Sequence, residues 1–245
     1  MVLDSFESIS ALIITLSAIF AALAGLVVLE AFFRNKLKLL FDDVNYFIYF
    51  SMVSGYFLYA LGEISFYLSR QVFKDASPIG IHDIYWTSGA VLILVSFIGL
   101  AFTLFKEHGG TAKFGAMLII GAALLAIVLT IVLGTKGKQA SFFSIFYPII
   151  SSLIITVALS TVLFSRQLGQ IAKPLLIFFL ASCGILLGDI LFYFSVSISG
   201  YSSLSLLTNL SYFWGYTLSL AAFVSLKLHL NRSALELEAK KASRR

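Results

Sequence analysis

Four acidic residues lie within or beside strongly apolar stretches of the chain, namely Glu30, Glu63, Asp83 and Asp189. A carboxylate in hydrocarbon is costly unless it faces protein or water, so such residues mark candidate functional positions. Glu30 precedes Arg34 by four residues, a spacing typical of an ion pair within one helix. The other three acids are therefore the candidates for chemistry.

Aromatic and amide side chains recur at helical spacing around these three acids. Aromatic rings that surround carboxylates are suited to hold a cation or an amine. We therefore predict one polar-aromatic pocket with a small cationic or amine ligand. The predicted pocket residues are Tyr59, Glu63, Tyr67, Asp83, Trp86, Asp189, Tyr193, Asn209, Tyr212 and Tyr216.

A structural role for the same acids is an alternative. Glu63 and Asp189 would then pin helix hairpins together by accepting hydrogen bonds from Tyr or Trp. Asp83 closely follows a turn that contains Pro78 and Gly80, and a carboxylate stabilises the N-terminus of a helix. The residues alone leave both interpretations open.

The composition requires a membrane to surround these residues. The chain has 245 residues, of which 60% are hydrophobic and 12% are charged, more apolar surface than a soluble domain hides. A membrane-spanning helix needs about 20 mostly apolar residues. We predict an all-α membrane domain over 1–230 and a basic tail over 231–245, with seven spans at 9–32, 45–69, 81–105, 114–134, 141–165, 174–198 and 204–227.

The basic residues predict how the chain is oriented in the membrane. With the N-terminus outside the cell and the C-terminus in the cytoplasm, 13 of the 17 Lys and Arg residues lie on the cytoplasmic side. The predicted pocket then faces outside, in a multi-pass protein of the cell membrane. The tail is expected to dock a cytoplasmic signalling partner or, alternatively, to lie on anionic lipid. The basic character needs no nucleic-acid partner.

An internal repeat relates the two halves of the chain. A shift of 126 residues brings LGEISFYLS, from Leu61, onto LGDILFYFS, from Leu187, so that Glu63 falls on Asp189. The repeats cover 9–105 and 141–227, with 114–134 as a linker helix, a parallel 3+1+3 arrangement about an axis along the membrane normal. Sugar-transporting SWEETs are built from parallel repeats, and opsin-type seven-helix folds are broadly similar.

The residues do not indicate an enzyme, a metal site or a bound cofactor. The sequence has no His–Asp–His zinc pattern, no paired aspartates of the lipid phosphotransferase kind, and no lysine in the middle of the seventh window to hold retinal. Cys183 is the single cysteine and has no disulfide partner within the chain. We expect a non-enzymatic protein.

The stretch GEISFYLSRQVFKDASPIGIHDIYWTSGAVLIL resembles the membrane-embedded N-terminal regions of some archaeal sensor histidine kinases. The matching residues are an acid near the end of the second helix, a proline in the following loop, and an acid, an aromatic residue and a glycine in the next helix: Glu63, Pro78, Asp83, Trp86 and Gly89. The resemblance covers this stretch alone and implies a sensor-like function.

Three functions are compatible with these observations. The first is a sensor or receptor-like module whose ligand shifts one three-helix half against the other. The second is a transporter of a small solute or cation that works by rocking of the same halves. The third is a membrane scaffold or assembly subunit. Architecture alone does not choose among them.

Overall fold

A computed structural model of the protein describes residues 2–33, 43–74, 79–108, 110–134, 142–165, 172–197 and 202–242. This part of the chain is helical apart from a few residues next to the helix ends, and it contains no strand. Each of the seven hydrophobic windows coincides with one helix. The helices are α1 (Val2–Phe33), α2 (Val44–Tyr67), α3 (Ile81–His108), α4 (Thr111–Gly134), α5 (Phe142–Ser165), α6 (Ala172–Ser197) and α7 (Ser202–Ala242).

Five helices are long and apolar enough to cross a membrane, which supports a helical membrane protein. Within the residues described, the candidate spans are Ser8–Ala31, Val44–Val72, Ile81–Lys106, Ile145–Ser165 and Ala172–Ser195. The apolar part of α4 is shorter, at Gly115–Ile131. The remaining helix, α7, has 41 residues and extends about 60 Å at roughly 1.5 Å per residue, twice the thickness of a bilayer's hydrocarbon core of about 30 Å.

Six of the helices form a closed ring. In order around the ring, α1 packs against α2, then come α3, α5, α6 and α7, and α7 packs against α1. The linker helix α4 lies outside the ring and packs against α5. Its outward side chains are exposed, as expected of a face that meets lipid; they include Leu118, Ile119 and Ile127.

Glycines allow the closest helix contacts, and these contacts recur at positions 126 residues apart. A Cβ on Gly89 would lie 2.8 Å from the carbonyl oxygen of Gly55, which joins α3 closely to α2. At the corresponding positions, a Cβ on Gly215 would lie 3.2 Å from the carbonyl oxygen of Ala181, which joins α7 to α6. Small residues at helix interfaces let backbones approach in this way.

The ring is filled with aromatic side chains at the end where α2 and α6 begin. The rings of Phe178 and Phe223 meet edge to face with centroids 4.9 Å apart, and Tyr56 meets Phe223 at 5.4 Å. Phe97 contributes from α3, and all four side chains are buried. Edge-to-face pairs of this kind stabilise a core beyond the apolar area they bury. This packing closes one end of the ring and leaves the other end for a cavity.

Candidate functional site

A cavity of about 320 Å³ lies inside the ring, at the end where α2 and α6 finish and α1, α3, α5 and α7 begin. All six ring helices line it and α4 does not. Its volume is at the small end of the range of about 300–1,000 Å³ for ligand sites. Seven of the ten predicted pocket residues line this cavity: Tyr59, Glu63, Trp86, Asp189, Asn209, Tyr212 and Tyr216.

Glu63 reaches the cavity from α2 and connects the two halves of the ring. Its Oε1 accepts a 2.8 Å hydrogen bond from the hydroxyl of Tyr216 on α7. The indole of Trp86 also lies beside this carboxyl group, and its buried N–H has no hydrogen-bond partner of good geometry among the described residues. Gly62 allows that approach, because a Cβ there would lie 2.4 Å from Cδ1 of Trp86.

Asp189 occupies the corresponding position on α6. Its Oδ1 accepts a 2.8 Å hydrogen bond from the hydroxyl of Tyr212 on α7, and its Oδ2 accepts a short one from Ser151 on α5. Gly188 allows the Tyr212 ring to approach, since a Cβ there would lie 2.6 Å from its Cε1. In each half of the chain, a glycine directly followed by an acidic residue thus packs beneath an aromatic ring.

The hydroxyl donors to the two carboxyl groups are neutral. Glu63 and Asp189 are both 7% exposed, so water solvates them only from the cavity. A carboxylate has about four acceptor positions, and the hydrogen bonds from Tyr216, Ser151 and Tyr212 occupy only part of this capacity. A small cation that entered the cavity would therefore meet carboxylate oxygens with acceptor capacity left.

Tyrosines form the inner wall of the cavity. Tyr59 and Tyr216 meet edge to face with ring centroids 6.2 Å apart. One turn further along, the hydroxyls of Ser219 and Tyr56 are hydrogen-bonded at 2.9 Å. Because Tyr56 belongs to the aromatic core, this bond continues the polar wall of the cavity into the packed end of the ring.

Asp83 is placed outside the cavity lining, at the start of α3. Its Oδ2 accepts a 2.9 Å hydrogen bond from the backbone N–H of Gly80, as a carboxylate in the first turn of a helix commonly does. Its Oδ1 accepts a 2.7 Å bond from the hydroxyl of Tyr147 on α5, and His82 Nε2 lies 3.4 Å from Oδ2. These contacts match the structural alternative for this residue.

Tyr67 and Tyr193 also lie outside the cavity lining, although both follow an acid by four residues. Four residues along a helix turn roughly 400°, so each tyrosine is rotated about 40° to one side of its acid, whereas the residue three positions after the acid is rotated about 60° to the other side. The buried Tyr193 packs in a cluster with Val128 of α4 and Ile155 of α5, on the outer side of the ring. The residues three positions after the acids, Phe66 and Phe192, line the cavity instead.

Several lining residues were not among those predicted from the sequence. Phe66 and Phe192 match each other at the 126-residue shift, so the repeat itself contained that signal. Tyr147 and Ser151 on α5 had no such signal, because only the packing of α5 between α3 and α6 brings them to the carboxyl groups. Arg70, one of the four basic residues that the predicted orientation leaves on the outer side, also lines the cavity.

The other candidates of the sequence are not near the cavity. Glu30 lies at the opposite end of the ring, toward the end of α1, and its proposed partner Arg34 falls outside the described residues, as does Pro78. Among the described residues, no group of three or more His, Cys, Asp and Glu side chains could hold a metal ion. The cavity is therefore the candidate site.

Comparison of the chain with protein-family models, with curated proteins and with solved structures finds no match.

Proposed function

We propose that this chain is a receptor-like membrane module that binds a small cationic or amine ligand in the cavity. One observation supports this most: two carboxyl groups, Glu63 and Asp189, face a single aromatic-walled cavity and are held by neutral hydroxyl donors. Aromatic faces attract a cation most strongly where it is shielded from water. The carboxylates would supply the opposite charge.

We further propose a multi-pass protein of the cell membrane in which all seven helices span, with the N-terminus outside and the C-terminus in the cytoplasm. The 3+1+3 repeat is supported by the ring, since its contacts map onto themselves when α1, α2 and α3 are exchanged with α5, α6 and α7. The matched glycine contacts support it as well. The linker helix α4 would return the chain to the outer side, so that the second triplet runs in the same direction as the first.

The route from ligand to response would be α7. This helix contributes Tyr212 and Tyr216 to the cavity and continues without a break to Ala242. A ligand that displaces either tyrosine from its carboxylate would shift α7 relative to its neighbours, and a continuous helix transmits such a shift along its length. A cytoplasmic partner docked on the tail would detect it.

Transport of the same ligand is a second candidate. The observation that favours it is the position of Glu63 and Asp189, one from each half, in a cavity between the halves. Rocking of two repeats around a shared site is how many transporters alternate access. The aromatic core formed by Tyr56, Phe97, Phe178 and Phe223 would have to open for passage, and this requirement makes the receptor the better supported function.

The two tryptophans of the chain allow a direct binding experiment. Trp86 lines the cavity, whereas Trp214 is 59% exposed and lies outside the lining. In nanodiscs, Trp214→Phe leaves Trp86 as the only tryptophan, and titration with pentylamine should change its fluorescence. The reverse variant, Trp86→Phe, is the matched control and should give no change. Pentanol, of similar shape but uncharged, should bind far more weakly.

The carboxyl groups should account for the affinity. Combining Glu63→Gln with Asp189→Asn should weaken pentylamine binding by about tenfold or more, since hydrogen bonds to charged groups are worth about 1.5–3 kcal/mol. Thermal unfolding of the variant distinguishes lost binding from lost folding. A folded variant with unchanged affinity would rule out the proposed site. In proteoliposomes, saturable uptake of labelled pentylamine would favour the transporter, and binding without uptake the receptor.

A further inference from the structure

The end of α2 breaks the symmetry between the two halves. Its last turn is followed by a π-helical turn at Leu68–Val72, whereas the described part of α6 remains α-helical to Ser197. Single π turns are rare and occur frequently at functional sites. Here the π turn includes Arg70 and Gln71, both of which line the mouth of the cavity. The second half has Ser195 in this region instead.

Arg70 is held toward the cavity by an aromatic contact. Its guanidinium carbon lies 5.9 Å from the ring centroid of Phe66, which is itself a lining residue one turn closer to Glu63. Side chains on a helix lean toward its N-terminus, and along α2 this direction runs from Arg70 back toward Glu63. A guanidinium presents five N–H donors in a planar fork, a geometry that matches a carboxylate or phosphate.

The cavity thus has opposite charges at two depths. The carboxyl groups of Glu63 and Asp189 lie inside, and the guanidinium of Arg70 lies at the mouth. Arg70 follows Glu63 by seven positions, roughly 10 Å along a helix at about 1.5 Å per residue. This spacing favours a ligand whose two charged groups are separated by several methylene groups. A ligand with both charged groups attached to one carbon atom would fit it less well.

We propose that the ligand is amphoteric, with an ammonium group at one end and a carboxylate or similar anion at the other. The ammonium would lie between Glu63 and Asp189, and the anionic end would bind the guanidinium of Arg70. This inference rests on the proposed amine site and adds the second recognition element. It also gives a role to Arg70, the only basic side chain among the described residues that line the cavity.

Three molecules of nearly equal size test the inference in the Trp214→Phe protein. Pentylamine has the ammonium alone, 5-aminopentanoate adds a carboxylate at the far end, and 2-aminopentanoate is the isomer with both charges on one carbon. We expect 5-aminopentanoate to bind about 10- to 100-fold more tightly than pentylamine, the fold-change that corresponds to a charge-assisted pair. The isomer should bind more weakly than 5-aminopentanoate.

Arg70→Gln should abolish that preference and leave pentylamine binding equal or stronger, because a positive charge has been removed. Arg232→Gln is the matched control, because Arg232 lies on the part of α7 far from the cavity. It should change neither the affinity for pentylamine nor that for 5-aminopentanoate. If pentylamine binds and 5-aminopentanoate gains nothing, the amphoteric ligand is wrong and the amine site stands. If Arg70→Gln preserves the gain, Arg70 is not the group that binds the anionic end, and that part of the proposal is wrong. If the isomer binds more tightly, the proposed charge spacing is wrong. If none of the three binds, the proposed function fails as well.

Discussion

The glycines beneath the cavity rings provide the sharpest stability test. A methyl group added by Gly62→Ala would lie 2.4 Å from Cδ1 of Trp86, and one added by Gly188→Ala would lie 2.6 Å from Cε1 of Tyr212. Neither ring can yield by moving a flexible end, so the whole side chain must shift. In the second case the shift would also strain the hydrogen bond from Tyr212 to Asp189.

The expected magnitude combines opposing terms. Overpacking costs about 1–3 kcal/mol, whereas alanine gains about 1 kcal/mol over glycine in a helix. A weakened hydrogen bond adds about 1 kcal/mol at position 188. We therefore expect both variants to be destabilised, Gly188→Ala by roughly 1–3 kcal/mol and Gly62→Ala by somewhat less. Destabilisation by both variants, at two positions 126 residues apart, would support the repeat.

The measurement is thermal unfolding of the purified protein in detergent, followed by circular dichroism. In a chain of this size each kcal/mol shifts the Tm by about 2–4 °C. Gly115→Ala is the matched control, because a Cβ at this position in α4 would meet nothing within 4 Å. Its Tm should be equal to that of the natural chain or higher. If Gly62→Ala and Gly188→Ala behaved like the control, the close packing of rings on these glycines would be refuted.

Two further predictions concern the contact of α3 with α5 and the orientation in the membrane. Tyr147→Phe removes the 2.7 Å hydrogen bond to Asp83, the capping carboxylate of α3, and should lower the free energy of unfolding by about 1–3 kcal/mol. Tyr85→Phe is the control and should change the stability little, because the Tyr85 hydroxyl has no hydrogen bond within the described residues. Equal effects of the two variants on thermal unfolding would contradict the contact between α3 and α5. In a Cys183→Ala background, Val72→Cys and Leu228→Cys are similarly exposed, at 55% and 56%, but lie at opposite ends of the ring. An impermeant maleimide added to intact cells should label only Val72→Cys, and the opposite pattern would invert the proposed topology.

The helices and the two acids that line the cavity, Glu63 and Asp189, could be predicted from the sequence because both are local signals. Apolar length alone predicts each helix, and an acid within such a stretch is conspicuous wherever the helix packs. Which face of the helix meets the cavity depends on neighbours that are distant in the sequence. The exclusion of Tyr67 and Tyr193 from the lining illustrates this limit.

The contributions of α5 were beyond prediction for a related reason. Tyr147 and Ser151 are ordinary residues in an apolar helix, and their roles arise only because α5 closes the ring between α3 and α6. Asp83 shows the opposite case. Acids are favoured in the first turn of a helix, and Asp83 makes the contacts that this local preference predicts. The prediction that it lines the pocket did not describe its position.

The central claim is that both carboxyl positions face a shared aqueous cavity and not lipid. Its most direct test is the reaction of single cysteines with a water-soluble, positively charged methanethiosulfonate reagent in the Cys183→Ala background. Glu63→Cys and Asp189→Cys should react quickly, and excess pentylamine should slow both reactions. Leu187→Cys, on the outward face of α6 and 51% exposed in the structure, should stay unreactive because lipid covers it. Fast reaction at Leu187→Cys, with none at the two carboxyl positions, would contradict the account.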